Sequence, residues 1–380
     1  MGKWEKVRLG DVGSYVNGFA FKPEDWSSQG LPIIRIQNLT ESRNEVNYYA
    51  KSDKNKYEIN DGDVLISWSA SLGVYQWSKG RALLNQHIFK VVFDKLEINK
   101  KYFIHVITHL LKDMSKETHG STMKHITKSR FDNMQIPLPH LEIQQKIAAT
   151  LDTAATLLKL RQQQLAELEA LIQSVFYQMF GDPVRNEKGW ESGTLSKHLS
   201  IVAGYAFKST GFIEKGIPVL KIGNINTGVF KKLNLVYWEE DTALKRYLLY
   251  PGDLVISLTG TVGKDDYANV CILGGDFECY YLNQRNAKLV LGKSLDKFYL
   301  SYYFKDPAIK GKLTGISRGI RQANISNSDI LSLKILLPPL SLQNQFAAIV
   351  QKIDQQKALV QQSIDETQTL FDSLMSQYFD

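Results

Sequence analysis

The sequence predicts an α+β protein: two tandem domains of mixed α/β structure, each followed by a long helix, the two helices pairing as an antiparallel coiled coil about a pseudo-twofold axis. Three observations carry that expectation. The chain repeats itself with its motifs in the same order. Each copy contains short, β-branched-rich apolar runs bounded by turn residues, which read as strands. Each copy then ends in a stretch without Pro or Gly whose apolar residues recur at alternating steps of four and three, the spacing of a coiled-coil seam.

The repeat sets the domain plan. Trp4 returns as Trp190, Leu9 as Leu195, and Gly18-Phe19-Ala20-Phe21-Lys22 as Gly204-Tyr205-Ala206-Phe207-Lys208, all 186 positions apart. LPIIRIQNL from Leu31 returns as IPVLKIGNI from Ile217 at the same offset, and GDVLIS from Gly62 as GDLVIS from Gly252 at 190. Asn85-Gln86 matches Asn283-Gln284 at 198, and from Gly120 against Gly319 an offset of 199 holds to Phe180 against Phe379. The plan is a first domain over 1–139, a long helix over 140–180, a linker turn over 181–189, a second domain over 190–339 and a second long helix over 340–380. Units of this size are far longer than solenoid repeats.

Within the first domain, LPIIRIQNL, GDVLISWS and ALLNQHIFKVVF read as strands, matched in the second by IPVLKIGNI, GDLVISLT and NAKLVL. Tyr102, Phe103, Val106, Ile107, Leu110, Leu111 and Met114 share one face at helical spacing; the counterpart runs from about Leu295 to Phe304. His105 and His109 fall on the opposite face, without a third metal ligand nearby in sequence, and are expected to be solvated.

Each long helix follows a proline stop, Pro137 and Pro139 or Pro338 and Pro339. The seam of the first is expected at Ile147, Leu151, Leu158, Leu165, Leu168 and Ile172, that of the second at Val350, Ile353, Val360, Ile364, Phe371 and Leu374. Polar Arg161, Lys357 and Thr367 interrupt it and would fix register. Forty helical residues span about 60 Å. An apolar stripe needs a partner, so the rods are expected to pack on each other; either direction is open, and antiparallel packing closes a pseudo-twofold. Gln144, Gln145, Gln162, Gln163 and Gln164, with Gln355, Gln356, Gln361 and Gln362, read as outer faces for solvent or a partner.

Charge separates the parts. The chain carries a net +7, and the excess lies in the domains: 20 Lys+Arg against 15 Asp+Glu over 1–139, and 19 against 13 over 190–339. The long helices are neutral to acidic. Two basic modules on such connectors suit an extended polyanion touched at two places. No stretch approaches the ~18 apolar residues of a membrane span, and no signal peptide is read at the N-terminus. Cys271 and Cys279 are the only cysteines, which fits a reducing, cytoplasmic setting without a disulfide framework or zinc site.

Signatures of chemistry are missing. The chain has no phosphate loop of the GxxxxGK[ST] type, no GxGxxG after a strand, no HExxH, GxSxG or paired CxxC, and no Asn/Asp-Pro-Pro-aromatic motif. Asp63 and Asp253 open strands in Gly-Asp turns, where local hydrogen bonding explains them. No catalytic or metal-ligating residues are therefore assigned.

The polar loops instead suit phosphates and base edges. In the first copy the candidates are Lys22, Asn38, Ser69, Ser71, Asn85, Gln86, His87, Thr122, Lys124 and His125. In the second they are Lys208, Asn224, Thr259, Thr261, Asn283, Gln284, Arg285, Arg318, Arg321, Gln322 and Asn324. Residues shared at matched sites, such as Lys22/Lys208 and Asn38/Asn224, read as common phosphate contacts. Residues that differ, His87 against Arg285, Thr122 against Arg321, Met123 against Gln322 and Lys124 against Ala323, are where two different sequences would be discriminated.

The doubled order of these motifs, over essentially the whole chain, resembles the specificity subunit of type I restriction–modification enzymes. Its carriers are the Trp-x-x-x-x-Leu opening, the Gly-aromatic-Ala-Phe-Lys turn, the Gly-Asp-strand-Ser run, the Gly-rich loop before Ile126 or Ile325, and the helix starts Pro139-His140-Leu141-Glu142-Ile143-Gln144-Gln145 and Pro338-Pro339-Leu340-Ser341-Leu342-Gln343. The second copy departs with Asn344 where Gln145 stands and with insertions before Gly252 and before Asn283.

The resemblance implies that each globular unit is a target-recognition domain reading one half of a split double-stranded DNA site, while the rods set the unread gap. It implies docking of two methylation subunits, which supply S-adenosylmethionine and the flipped-adenine pocket, and of restriction subunits using ATP and Mg. This chain itself would bind no cofactor, catalyse nothing and meet no membrane. Three rivals stay open: a related system with fused methylation and cleavage subunits, a coiled-coil protein scaffold, and a hydrolase using Asp63 and Asp253.

Overall fold

A computed structural model describes residues 4–117, 126–264, 266–315 and 322–380, without the side chains of 115–117 and 322. It divides into two compact units: residues 1–162 with 362–380, and residues 163–361. Each long helix, Leu141–Phe180 and Leu340–Phe379, contributes one half to each unit.

The units repeat one topology. In the first, Ser14–Asn17, Ile88–Val92, Val64–Ser67 and Gly73–Gln76 form an antiparallel sheet in that spatial order. A second sheet has the order Asn47–Tyr49, Leu31–Ile34, Ala82–Leu84, Glu58–Ile59, with its middle pair parallel. In the second unit the corresponding sheets are Leu199–Ala203, Asn286–Leu291, Leu254–Ser257, Val270–Ile272 and Tyr237–Trp238, Ile217–Leu220, Tyr280–Leu282, Leu248–Leu249, again with one parallel central pair.

Most of the sequence-predicted strands are shorter than expected. LPIIRIQNL is a strand only over Leu31–Ile34 and then turns into the short helix Ile36–Leu39. Asn38 causes the turn: its Oδ1 accepts from the Arg35 N–H at 3.0 Å, satisfying a donor that a longer strand would have paired across the sheet. Asn224 does the same with Lys221 at 2.9 Å. ALLNQHIFKVVF likewise splits into Ala82–Leu84 and Ile88–Val92, because His87 takes a positive φ of 73°.

The helix Lys100–Glu117 lays the predicted face, Tyr102, Phe103, Val106, Ile107 and Leu111, into the core of the first unit. That core includes Ile147 and Leu151 from the start of the first long helix and Met375 and Phe379 from the end of the second. In the second unit Ile172, Phe176 and Phe180, from the end of the first long helix, share a core with Phe346, Val350 and Ile353 from the start of the second. Inside each unit, then, the two long helices run in opposite directions.

The polar interruptions of the seam are partnered. Arg161 donates through Nη1 to the Ser363 carbonyl and the Thr367 hydroxyl within the first unit. Lys357 donates to Glu169 at 2.6 Å within the second, and Lys305 reaches the same carboxylate at 2.9 Å. Of the seam residues, Ile147, Leu151, Leu158, Ile172, Val350, Ile353 and Ile364 are buried, while Leu165, Leu168, Val360, Phe371 and Leu374 are half-buried.

Gln144 is a correction to the outer-face reading. It is 2% exposed; its Oε1 accepts from the Asn99 N–H at 2.9 Å and its Nε2 donates to the Pro139 carbonyl at 2.8 Å. Gln343, 0% exposed, makes the matching bonds to Asp296 at 2.8 Å and Pro338 at 2.9 Å. One amide thus staples the first turn of each long helix to the start of its domain's helix. The first long helix stops at Gly181, whose φ of +77° accompanies an N–H···O bond to Tyr177.

Candidate nucleic-acid interface

In each unit the polar loops singled out from the sequence are tied together by backbone hydrogen bonds. In the first, Phe19 N–H donates to the Leu84 carbonyl at 2.9 Å and Gln86 N–H to the Phe19 carbonyl at 2.9 Å. Trp68 N–H donates to His87 at 3.2 Å, and Ile126 N–H to Trp68 at 3.0 Å. The Gly18–Lys22 turn, the Asn85–His87 turn, the loop after Ser67 and Ile126 are therefore one continuous patch. The second unit repeats every link: Tyr205 to Leu282 at 2.8 Å, Gln284 to Tyr205 at 3.0 Å, Leu258 to Arg285 at 2.9 Å, Ile325 to Leu258 at 2.9 Å.

This stitching explains the glycine that opens the Gly-aromatic motif. A Cβ on Gly18 would stand 2.0 Å from the Asn85 carbonyl oxygen, and one on Gly204 would stand 2.1 Å from that of Asn283. Only a bare backbone lets the two turns approach.

In the second unit Thr259–Thr261 pairs with Gln322–Asn324 as a ribbon, setting Thr259 opposite Asn324 and Thr261 opposite Gln322. The Thr261 hydroxyl donates to Asp266 at 2.9 Å, leaving its oxygen lone pairs as acceptors. Arg285, Gln284 and Lys208 are exposed, as are Lys22 and Ser71; Ser69 is half-buried. His87 lies edge-on to Trp68 with ring centroids 4.9 Å apart, and its buried Nδ1 has no hydrogen-bond partner among the described residues. Asn85 Oδ1 is in the same state, whereas Asn283 Oδ1 accepts from the Arg285 N–H at 3.3 Å. Thr122, Lys124, His125, Arg318 and Arg321 lie outside the described residues, as does the side chain of Gln322.

The readings of four residues change. Asn38 and Asn224 are not free phosphate donors. Asn224 is 1% exposed and gives both amide hydrogens to the Lys231 and Leu233 carbonyls at 2.9 Å. Asn38 donates to Arg43 and Glu45. Both asparagines shape a loop. His105 and His109 are not solvated: His105 meets Asp152 at 2.8 Å, and His109 meets Asp380 at 2.7 Å with Asp113 at 3.5 Å. The first long helix brings Asp152 to His105, and Asp380, just past the second long helix, joins the local Asp113 at His109.

Asp63 and Asp253 behave as expected. Each accepts from a backbone N–H of its own turn, Asn60 at 2.9 Å or Tyr250 at 2.8 Å. Each also pairs with a lysine, Lys90 at 2.8 Å or Lys288 at 2.7 Å. Cys271 and Cys279 are free thiols, and burial pushes the Cys271 thiol up to about 11. Among the described residues, no helix is long and apolar enough to cross a membrane.

Sequence reasoning missed an aromatic edge beside the patch. Tyr57 lies tilted against Phe19 with ring centroids 5.3 Å apart, and Tyr247 lies tilted against Tyr205 at 5.3 Å. The signal was present, since Tyr57 and Tyr247 recur at the same offset of 190 as the Gly-Asp strands that follow them.

Comparison with known proteins gives a consistent picture. The family model for the type I restriction modification DNA specificity domain matches residues 1–170 and again 187–368. The chain is 25% identical over 372 residues to the type I restriction enzyme MjaVIII specificity subunit of Methanocaldococcus jannaschii, covering 92% of this chain and 86% of that one. It is 22% identical to the EcoBI specificity subunit of Escherichia coli, covering 93% and 79%. In fold it matches the S subunit of a type I restriction-modification system from M. genitalium, with a TM-score of 0.56, 15% identity and coverage of 99% and 96%. A chain from a structural study of type I R-M assembly and conformational transition matches with a TM-score of 0.59, 18% identity and coverage of 100% and 98%.

Proposed function

Because the chain belongs to the type I restriction–modification DNA specificity family, with two tandem target-recognition domains, we propose that each unit reads one half of a bipartite duplex DNA site. The observation that carries this is the loop patch, built twice from the same four backbone links in two domains of excess positive charge. Direct readout falls to side chains that differ at matched places on it, His87 in one unit and Arg285 with the Thr259–Thr261 ribbon in the other. Arginine offers guanine a bidentate contact, and amides suit adenine.

In this reading the chain is not catalytic and holds no cofactor of its own. Two methylation subunits dock on the long helices, bringing S-adenosylmethionine and the pocket for a flipped adenine, and restriction subunits bring ATP and Mg chemistry. Apolar side chains left in solvent on those helices support a docking role: Leu157, Leu160 and Leu370 in the first unit, Leu171 and Leu359 in the second. The two helices set the length of the unread gap, and the complex works in the cytoplasm.

The test is an exchange of residues 1–139 for the matching domain of a relative, followed by mapping of methylated adenines. One half of the motif should change and the other persist. A motif that changes in both halves, or in neither, would overturn the one-unit, one-half-site reading.

A further inference from the structure

The aromatic edge beside each patch sets two rings and a cation together in both copies, with its outer ring partly open to solvent. In the second unit Tyr205 is 38% exposed, and it is not part of the apolar cluster of Phe207, Val219, Leu244 and Tyr281 beneath it. Its ring meets Tyr247 at 5.3 Å, and the Arg246 guanidinium sits 4.9 Å over the Tyr247 ring. Arg246 is exposed and pairs with no carboxylate among the described residues. In the first unit Phe19 meets Tyr57 at 5.3 Å, and the Lys54 ammonium lies 4.4 Å over the Phe19 ring. The cation comes from a different position of the turn in each copy: Arg246 aligns with Lys56, yet Lys54 is the residue stacked. Two aromatic rings and a cation recur, but the cation lies over Phe19 in the first unit, where Lys54 also meets Asp53 at 3.2 Å, and over Tyr247 in the second.

The edge is also wired to the reading turn. Gln284 N–H donates to the carbonyl of Tyr205 itself, and Gln86 N–H to that of Phe19. A duplex lying against Gln284 and Arg285 would meet Tyr205 one residue contact away.

We infer that Tyr205, Tyr247 and Arg246, like Phe19, Tyr57 and Lys54, form an anchor for the DNA backbone: the rings lie against deoxyribose, and the cation pre-set over them takes a phosphate. This rests on the DNA-reading proposal above. It assigns the shared aromatic edge to holding any duplex, and leaves discrimination to the divergent residues beside it. A cation stacked on an aromatic ring loses less side-chain freedom when it engages a phosphate than a free lysine does. Phosphate contacts fix register without carrying sequence information.

The experiment uses the full chain in the complex in which its wild-type form binds DNA. Affinities are measured for a duplex bearing its own methylation motif and for an unrelated duplex of equal length, across a salt series. Tyr205→Leu should weaken both about tenfold and leave their ratio unchanged, while Tyr205→Phe should bind like wild type, since phenylalanine already serves at position 19. Arg246→Gln should weaken both and lower the salt slope by about one, the signature of one lost phosphate contact. Loss confined to the motif duplex would overturn the anchor and make these residues readers. Unchanged affinity in both Tyr205→Leu and Arg246→Gln, with unfolding transitions as in wild type, would also overturn it. Should wild type bind neither duplex, the DNA-reading proposal fails first, before any variant is compared.

Discussion

The two units share their stitching and differ in what hangs from it. Gly18 and Gly204, Asp63–Lys90 and Asp253–Lys288, Asn38 and Asn224, Gln144 and Gln343 do identical work in both. On the patch itself the first unit has Trp68 stacked on Phe89 with His87 against it, where the second has Leu258 leading into a threonine ribbon and an exposed Arg285. The lesson is that a recognition surface can be varied freely only where its frame is closed by backbone bonds and buried amides. Side chains that neither cross-link turns nor fill the core are the ones left to change.

The sharpest way to break this comparison is at the frame. Gly204→Ala, with its counterpart Gly18→Ala, should be the most damaging change, because its Cβ would stand 2.1 Å from the Asn283 carbonyl, a backbone atom that cannot swing aside. A cost of roughly 3 kcal/mol or more is expected from forced backbone movement. Chemical denaturation should report it, and recognition by the second unit should fail while the first half-site is still read. Next comes Gln343→Ala, which leaves the Asp296 N–H and the Pro338 carbonyl buried without their partner, at about 2 kcal/mol. Gln144→Ala should match it in the first unit. A large difference between these two would mean that the frames are not equivalent.

Much of this was legible in the sequence, and the failures have physical causes. The duplication, the helix limits and the seam polarities follow from local pattern, and the long helices occupy Leu141–Phe180 and Leu340–Phe379. Gln144 was misread because a glutamine near a helix start looks solvent-facing until the domain helix that needs its amide is in view. His105 and His109 were misread because their partners, Asp152 and Asp380, lie 47 and 271 positions away. The phosphate role given to Asn224 ignored that asparagine closes loops with its own backbone as readily as it meets a ligand. Convergence of the polar loops was implied only by their recurrence, and it needed the backbone links to become geometry.

Specificity should yield to smaller, selective changes. Arg285→Ala is expected to leave unfolding untouched and to relax discrimination at one position of one half-site, by about 1–3 kcal/mol against the wrong base. Sequencing of methylated sites reads this directly as a degenerate position. Uniform weakening on every duplex would instead make Arg285 part of the anchor.

The smallest effect expected is on the helix pair of the second unit, and it is a matter of pH. Burial alone would raise the Glu169 carboxyl, but the hydrogen bond from Lys357 and the charges of Lys305 and Lys357 outweigh it and hold the group at about 2. The unfolded chain would titrate near the ordinary glutamate value of about 4.3. A group whose pKa is depressed by folding adds stability above its unfolded value and loses it as pH falls toward the folded one. The contribution should therefore be full above about pH 5 and decline progressively toward pH 2. Because the carboxylate is partly exposed, screening keeps it modest, and Glu169→Gln should cost about 1 kcal/mol at neutral pH. In urea titrations the gap between wild type and Glu169→Gln should close as pH is lowered from 5 to 2.5. A gap that stays constant over that range would mean the glutamate acts through shape and not through its charge, and that Lys357 alone supplies the polar marker in this half of the seam.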